Sequence, residues 1–426
     1  MTNVSTQKKH LSATLWYVGV ALAWAIPTCV LSGYSLPFAV SGNLGAGVIL
    51  ATVHALILGM LLTGAAGILW QFVPIAFQAR PLPRHVLYWH LPLHTLSVLL
   101  MVFGFLANRF DIVAYGGLSL LLVTLAYGFL VFAALRQARN RTAVWEQVGW
   151  PLFILPIVMI LGIVLAFGTI NGSNQWLTTH GGIGLLGFWM LMVIILSYKF
   201  FPMFALSHGY EVSAKRVVRI YVLGLLLLLS GIWLHDASHG WRPVLTLSGF
   251  LGGCLMLVAL LLFTRDSSRI LKARKRKRLA PSLIAALVST AVLLVATTAA
   301  IVAMCLQMGT WSVAITYVML FGGLVPLFIA YLHKIVPFLR FEYRYSYASD
   351  RKTAPALDDM VQRIPFVWGM SIYASASLLG LFTLLLDHAA EGYGWEILIG
   401  VAQAIGLLLV SLGLLHILRI GGARPM

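Results

Sequence analysis

Apolar runs dominate the chain, and they are long. Stretches of about 20 residues, enough to cross roughly 30 Å of hydrocarbon, occupy 13–34, 46–76, 86–107, 112–135, 148–170, 177–205, 217–235, 243–264, 280–306, 311–338, 365–387 and 395–418. The pattern predicts an all-α membrane protein with twelve transmembrane helices. The first run has no small-residue cleavage site after it and leads directly into the second, so it is read as a span and not as a removed leader.

The polar positions then set the orientation. Lys and Arg number 29 and Asp and Glu 12, so only 10% of residues are charged, against about 25% in a soluble domain. With Lys8 and Lys9 placed in the cytoplasm, 27 of the 29 basic residues collect on the inner side, and only Arg109 and Arg242 fall outside, beside Asp111, Asp236, Asp387, Glu391 and Glu396. Such asymmetry predicts cytoplasmic termini at both ends. The net charge of +17 therefore records orientation, and no nucleic-acid partner is expected. The densest basic run, Arg265 to Arg278, reads as an inner loop touching anionic lipid, with a specific partner patch as the alternative. Cys29, Cys254 and Cys305 lie in apolar runs without paired spacing and indicate neither disulfides nor a thiolate metal site. The lipid bilayer is the one partner that composition alone implies.

A repeat underlies the spans. The segments ending at Pro74, Pro202 and Pro337 each carry a glycine fifteen residues earlier, at Gly59, Gly187 and Gly322, with the triplets WQF, YKF and HKI just before the proline. The copies are offset by 128 and 135 residues, so each period holds four spans and the matching spans are the second, sixth and tenth. The expected architecture is one transmembrane domain, residues 1–426, built of three four-helix arcs with pseudo-threefold symmetry over approximately 1–140, 141–278 and 279–426.

No carboxylate is expected at mid-membrane, which argues against a pump or an acid-coupled transporter. Lys199 and Lys334, at equivalent places near helix ends, are expected to snorkel to lipid phosphate. Histidine is the titratable type that enters the spans, and a buried imidazole needs a hydrogen-bond partner, a metal or a heme iron. His54 lies in the second span among Gly59, Gly64, Ala65, Ala66 and Gly67, small residues expected to let a flat macrocycle approach. His180 opens the sixth span, and His235 and His239, four apart, close the seventh; these three form a candidate metal site. His90 and His94 stand four apart on the third span, with either ligation or hydrogen bonding between helices as their role. His85, His208, His388 and His416 read as solvated interfacial residues. Imidazole sites suit copper, zinc or iron.

These features resemble subunit I of the heme-copper oxidase superfamily: twelve spans, both ends inside, three four-helix arcs, and a second span carrying His54, small residues, Val73-Pro74 and the QAR of Gln78 to Arg80. The sequence is similar to relatives labelled cbb3-type subunit I-like, and the heme- and copper-binding NnrS-type membrane proteins of nitric-oxide metabolism have a similar size and span count. The resemblance implies that His54 is an axial ligand of heme b and that His180, His235 and His239 are loose counterparts of the family's copper ligands. The pair in the seventh span is i, i+4 where the family's is adjacent, and the tenth span has Ile315 and Tyr317 where the family has histidines.

The two-heme oxygen-reducing centre is therefore expected to be incomplete. The expected function is electron transfer or binding of a diatomic gas, nitric oxide or oxygen, with the sixth iron position open or filled by His180, Tyr317 or Met319. A quinol or membrane redox partner would supply electrons, because no Cys-x-x-Cys-His heme-c motif occurs. A cofactor-free transporter or structural membrane subunit is the alternative, with Pro326 as a hint of a broken helix. An active terminal oxidase or nitric oxide reductase subunit I, an oxidoreductase, is the third.

Overall fold

The computed structural model describes residues 4–168, 174–237, 242–306, 311–345, 354–386 and 394–419, and in these it is built of helices. The long helices are α1 Val4–Val40, α2 Gly47–Phe77, α3 His85–Leu106, α4 Phe110–Arg136, α5 Ala143–Ala166, α6 Gln175–Ala205, α7 Ala214–Ala237, α8 Arg242–Lys272, α9 Pro281–Cys305, α10 Ser312–Phe341, α11 Arg363–Leu385 and α12 Gly394–Arg419. Among the described residues, eleven are long and apolar enough to cross a membrane; the exception is α7, which opens with Lys215, Arg216 and Arg219. Large apolar side chains such as Phe129, Phe153, Leu261 and Val295 are two-thirds or more exposed. Surfaces of that kind on long apolar helices belong in lipid, and the chain is a helical membrane protein.

The chain divides into two compact units. One comprises residues 1–138, 280–289 and 320–426; the other comprises 139–279 and 290–319. In the first, α1 packs on α2 and α12, α3 on α4, and α11 on α12. Glycines allow the closest of these approaches: a Cβ on Gly369 of α11 would meet the Gly406 carbonyl of α12 at 2.7 Å, the close approach of backbones that small residues permit in membranes. In the second unit α7 lies along α8, and α5 packs on α6.

The three helices that carry the glycine-proline frame share a local departure from α geometry. Residues Ala55–Leu62 of α2, Ile183–Trp189 of α6 and Val318–Leu324 of α10 are wound as π-helix. Each segment starts four residues before its glycine, at Ala55, Ile183 and Val318. A π turn bonds N–H to the carbonyl five residues back and accommodates one extra residue. The register coincidence also continues beyond it: α2 and α6 end on left-handed residues nineteen positions after the glycine, Gln78 (φ 51°) and Leu206 (φ 53°). Pro326 does not break α10, which stays helical from Ser312 through Phe341 with the π turn just ahead of the proline.

Two expectations about charge need correction. Lys334 does not snorkel: it is 8% exposed and pairs with Asp358 at 2.5 Å, a partner 24 residues away in the segment before α11. The basic run does not begin as a loop, because α8 continues through Lys272, and Asp266 is fully buried there. Its carboxylate accepts hydrogen bonds from Tyr198 Oη (3.0 Å), the Ser213 amide (2.7 Å) and Arg265 (3.3 Å). It thereby ties α6 and the start of α7 to α8. The segment after α8 is held by a backbone bridge between Ser207 and Arg274.

Candidate functional site

His54 is the last α-helical residue before the π turn of α2. Its ring is half-buried and lies 4.6 Å from the Phe105 ring, centroid to centroid. Its Nδ1 is 2.8 Å from the Leu50 carbonyl, one turn back. A carbonyl only accepts, so Nδ1 carries the proton and Nε2 carries the lone pair, the tautomer needed for ligation through Nε2. Tyr317 holds the corresponding place before the π turn of α10, and Gly182 the corresponding place in α6. Tyr317 and Met319 are buried, at 9% and 3% exposure.

The small residues beyond His54 do not serve the expected purpose. A Cβ on Gly59 would meet the Trp24 ring at 2.5 Å, one on Gly64 would run into the Phe328 ring, and one on Gly67 into Tyr17. The glycine stripe seats three aromatic side chains, because each missing Cβ leaves a notch that a neighbouring ring fills. It is not an open face for a macrocycle.

His180 stands two residues ahead of the register that His54 and Tyr317 share. It lies in α6, half-buried, with Nδ1 3.1 Å from the Val158 carbonyl of α5 and its ring over Gly162. His235 belongs to α7, but its side chain lies outside the described residues, as does the whole of His239. Among the described residues, no three His, Cys, Asp or Glu side chains are grouped to hold a metal ion. His54 belongs to the first unit; His180, Tyr317 and Met319 belong to the second. His85, His208 and His416 are exposed, and His388 lies outside the described residues.

The His90 and His94 pair is bound into the protein. Both are buried, and Tyr17 Oη and His90 Nδ1 share a hydrogen bond at 2.7 Å. His94 Nε2 donates to the Leu58 carbonyl at 3.1 Å, inside the π turn of α2. Tyr127 lies against His90 with its ring tilted (centroids 4.3 Å apart) and donates to the Ala66 carbonyl at 2.7 Å, and Trp70 lies 6.1 Å from Tyr17 and 6.4 Å from Tyr127. Hydrogen bonding between helices, the second of the two roles foreseen, is what these geometries provide.

The Leu58 bond has two counterparts. Tyr221 Oη of α7 donates to the Leu186 carbonyl at 3.0 Å, and Tyr373 Oη of α11 donates to the Phe321 carbonyl at 3.0 Å. Leu58, Leu186 and Phe321 are each the residue just before the repeat glycine. For Phe321 the reason is visible: its partner five residues on is Pro326, which has no N–H, and the tyrosine hydroxyl supplies the missing donor. Sequence reasoning found the frame of glycines and prolines but not these donors; the signal was a polar aromatic or histidine one helix later, 36, 35 and 52 residues after the acceptor. No protein-family model and no curated protein matches this chain.

Proposed function

We propose that this protein is a heme b-binding membrane protein of heme-copper oxidase-like architecture, with twelve spans in three four-helix arcs, cytoplasmic termini and a bacterial inner-membrane location. Its function is electron transfer or the binding of a diatomic gas such as nitric oxide or oxygen. The observation that carries the reading is the placement of His54. A half-buried imidazole inside a membrane helix, with Nδ1 bonded to Leu50, stands immediately before a π turn, and π turns inside α-helices are frequent at functional sites. The recurrence of that turn in α6 and α10 supports the three-arc architecture, and the excess of inner basic residues supports the orientation.

In this reading His54 would hold the heme iron through Nε2, its Nδ1 bond to Leu50 fixing the tautomer. The Phe105 ring against His54 limits rotation about its side-chain bonds and excludes water from one face. Heme, when bound, supplies a redox-active iron whose behaviour follows its axial ligands and the polarity around it. Tyr317, Met319 and His180, which belong to the second unit, remain candidate ligands in this proposal, and copper at His180, His235 and His239 is a further part of it. Quinol or a membrane redox protein is the electron source.

The test is an optical spectrum and metal analysis of the purified full-length protein. A Soret band with iron is expected, and His54→Ala should lose most of the bound heme. Carbon monoxide added to the reduced protein should shift the band if the sixth position is open and leave it unchanged if two side chains ligate. Wild-type protein with neither iron nor a Soret band would overturn the proposal. That result would leave the cofactor-free transporter or structural subunit, a reading favoured by the occupied glycine stripe of α2.

A further inference from the structure

We infer that His94 is a positioning residue: with Tyr221 and Tyr373 it forms a set of three cross-helix donors that latch the π turns, and through the turn of α2 it fixes the direction in which His54 points. The placement of His54 as a ligand rests on the function proposed above; the latch itself does not. Three observations carry it. The donors come from α3, α7 and α11, the helix that follows each π-containing helix. The acceptors are the same repeat position, Leu58, Leu186 and Phe321. Each donor meets a carbonyl within a π segment, Ala55–Leu62, Ile183–Trp189 or Val318–Leu324.

The physical consequence follows from helix geometry. A π turn holds one residue more than α winding would. If it relaxed, the residues ahead of it would rotate by about 100° and shift about 1.5 Å along the axis relative to those behind. In α2 the residue at the boundary is His54. Its Nδ1 bond to Leu50 is local and would rotate with it, so that bond alone cannot set where Nε2 points. The bond from His94 to Leu58 ties the turn to a different helix and can. Thr63 Oγ1 also reaches the Leu58 carbonyl, at 3.2 Å, but from within α2 itself. His94 therefore does the work of a tyrosine hydroxyl, and its Nδ1, buried without a hydrogen-bond partner, is not used by the latch.

The experiment compares His94→Tyr with His94→Phe, which differ only by the hydroxyl, in the full-length protein in detergent. Amide exchange over 55–63 reads the latch independently of any cofactor. His94→Phe should speed exchange there about fivefold, the equilibrium worth of one net hydrogen bond, and His94→Tyr should restore it to within about twofold. Tyr221→Phe and Tyr373→Phe should do the same over 183–189 and 318–324. Equal exchange in the Phe and Tyr variants of His94, or no change in any variant, overturns the latch. The low-temperature electron paramagnetic resonance spectrum of heme-loaded protein reads the positioning: its g-values should move in His94→Phe and return in His94→Tyr, with heme stoichiometry unchanged in both. Loss of heme in His94→Tyr while exchange is restored would make His94 a ligand and overturn its positioning role. Wild-type protein without heme would remove the positioning role and the proposed function together, while the exchange data still decide the latch.

Discussion

The first and second periods of the chain use one backbone device and different side chains around it. In the first, the π turn of α2 is latched by His94, and the register four residues before the latch holds His90, bonded to Tyr17 and in ring contact with Tyr127. In the second, the π turn of α6 is latched by Tyr221, and the register four residues earlier holds Val217, fully buried. The glycines that seat Phe328 and Tyr17 in the first period, Gly64 and Gly67, correspond to the buried Met192 and Ile195 in the second. Eleven residues past the glycine stands Trp70 in one and Tyr198 in the other, and only Tyr198 has an anionic partner, Asp266. The backbone frame is thus indifferent to what fills it. The first period spends its side-chain positions on a ring cluster and notches that seat aromatics, whereas the second fills the notches with its own aliphatic side chains and fastens its helix ends with a carboxylate.

The sharpest way to break this contrast is to remove the carboxylate. Asp266→Leu leaves the Tyr198 hydroxyl and the Ser213 amide buried without an acceptor, at about 1–3 kcal/mol each, so a loss of roughly 3 kcal/mol is expected, seen as a drop of several degrees in the thermal midpoint in detergent. Asp266→Asn keeps an acceptor oxygen and should lose less than half as much. A midpoint unchanged in Asp266→Leu would mean that the second period is not fastened at this point. Next in size is Gly59→Ala in the first period. Its Cβ would meet the Trp24 ring at 2.5 Å, closer than carbon atoms approach, and the overpacking should cost about 1–3 kcal/mol. If that variant melts with the wild type, Trp24 is not seated in the notch.

These two sites also mark how far the chain could be read without its structure. The frame was legible, because glycine and proline at fixed spacing survive in any alignment of the three copies. The π turns were not: α2, α6 and α10 are apolar on nearly every face, so one extra residue leaves no break in the hydrophobic pattern. The latches were hidden for the same reason, since a donor one helix later is specified by packing and not by spacing. His54 could be singled out by its residue type and place, and so could Tyr317, but the role assigned to the small residues failed because sequence cannot say which neighbour fills a notch. Lys334 and Asp266 were misplaced because proximity to a helix end was taken as proximity to headgroups or solvent. Their partners, Asp358 and the pair Tyr198 and Ser213, lie 24 to 68 residues away.

The smallest effect tests the comparison most directly. Gly187 is the repeat counterpart of Gly59, yet a Cβ there would meet Leu225 at 3.2 Å, Ile154 at 3.4 Å and Ile183 at 3.4 Å. All three contacts are with the ends of aliphatic side chains, which can give by a few tenths of an ångström, whereas Trp24 presents a rigid ring to Gly59. Alanine is favoured over glycine inside a helix by about 1 kcal/mol, and that gain should offset the tighter packing at Gly187. Gly187→Ala is therefore expected to melt within about 0.5 kcal/mol of the wild type, against the loss foreseen for Gly59→Ala. If the two alanines were equally costly, the second period would be using its glycine as the first does, and the distinction between a notch that seats a neighbouring ring and one already filled would fail at the one position where both periods keep the same residue.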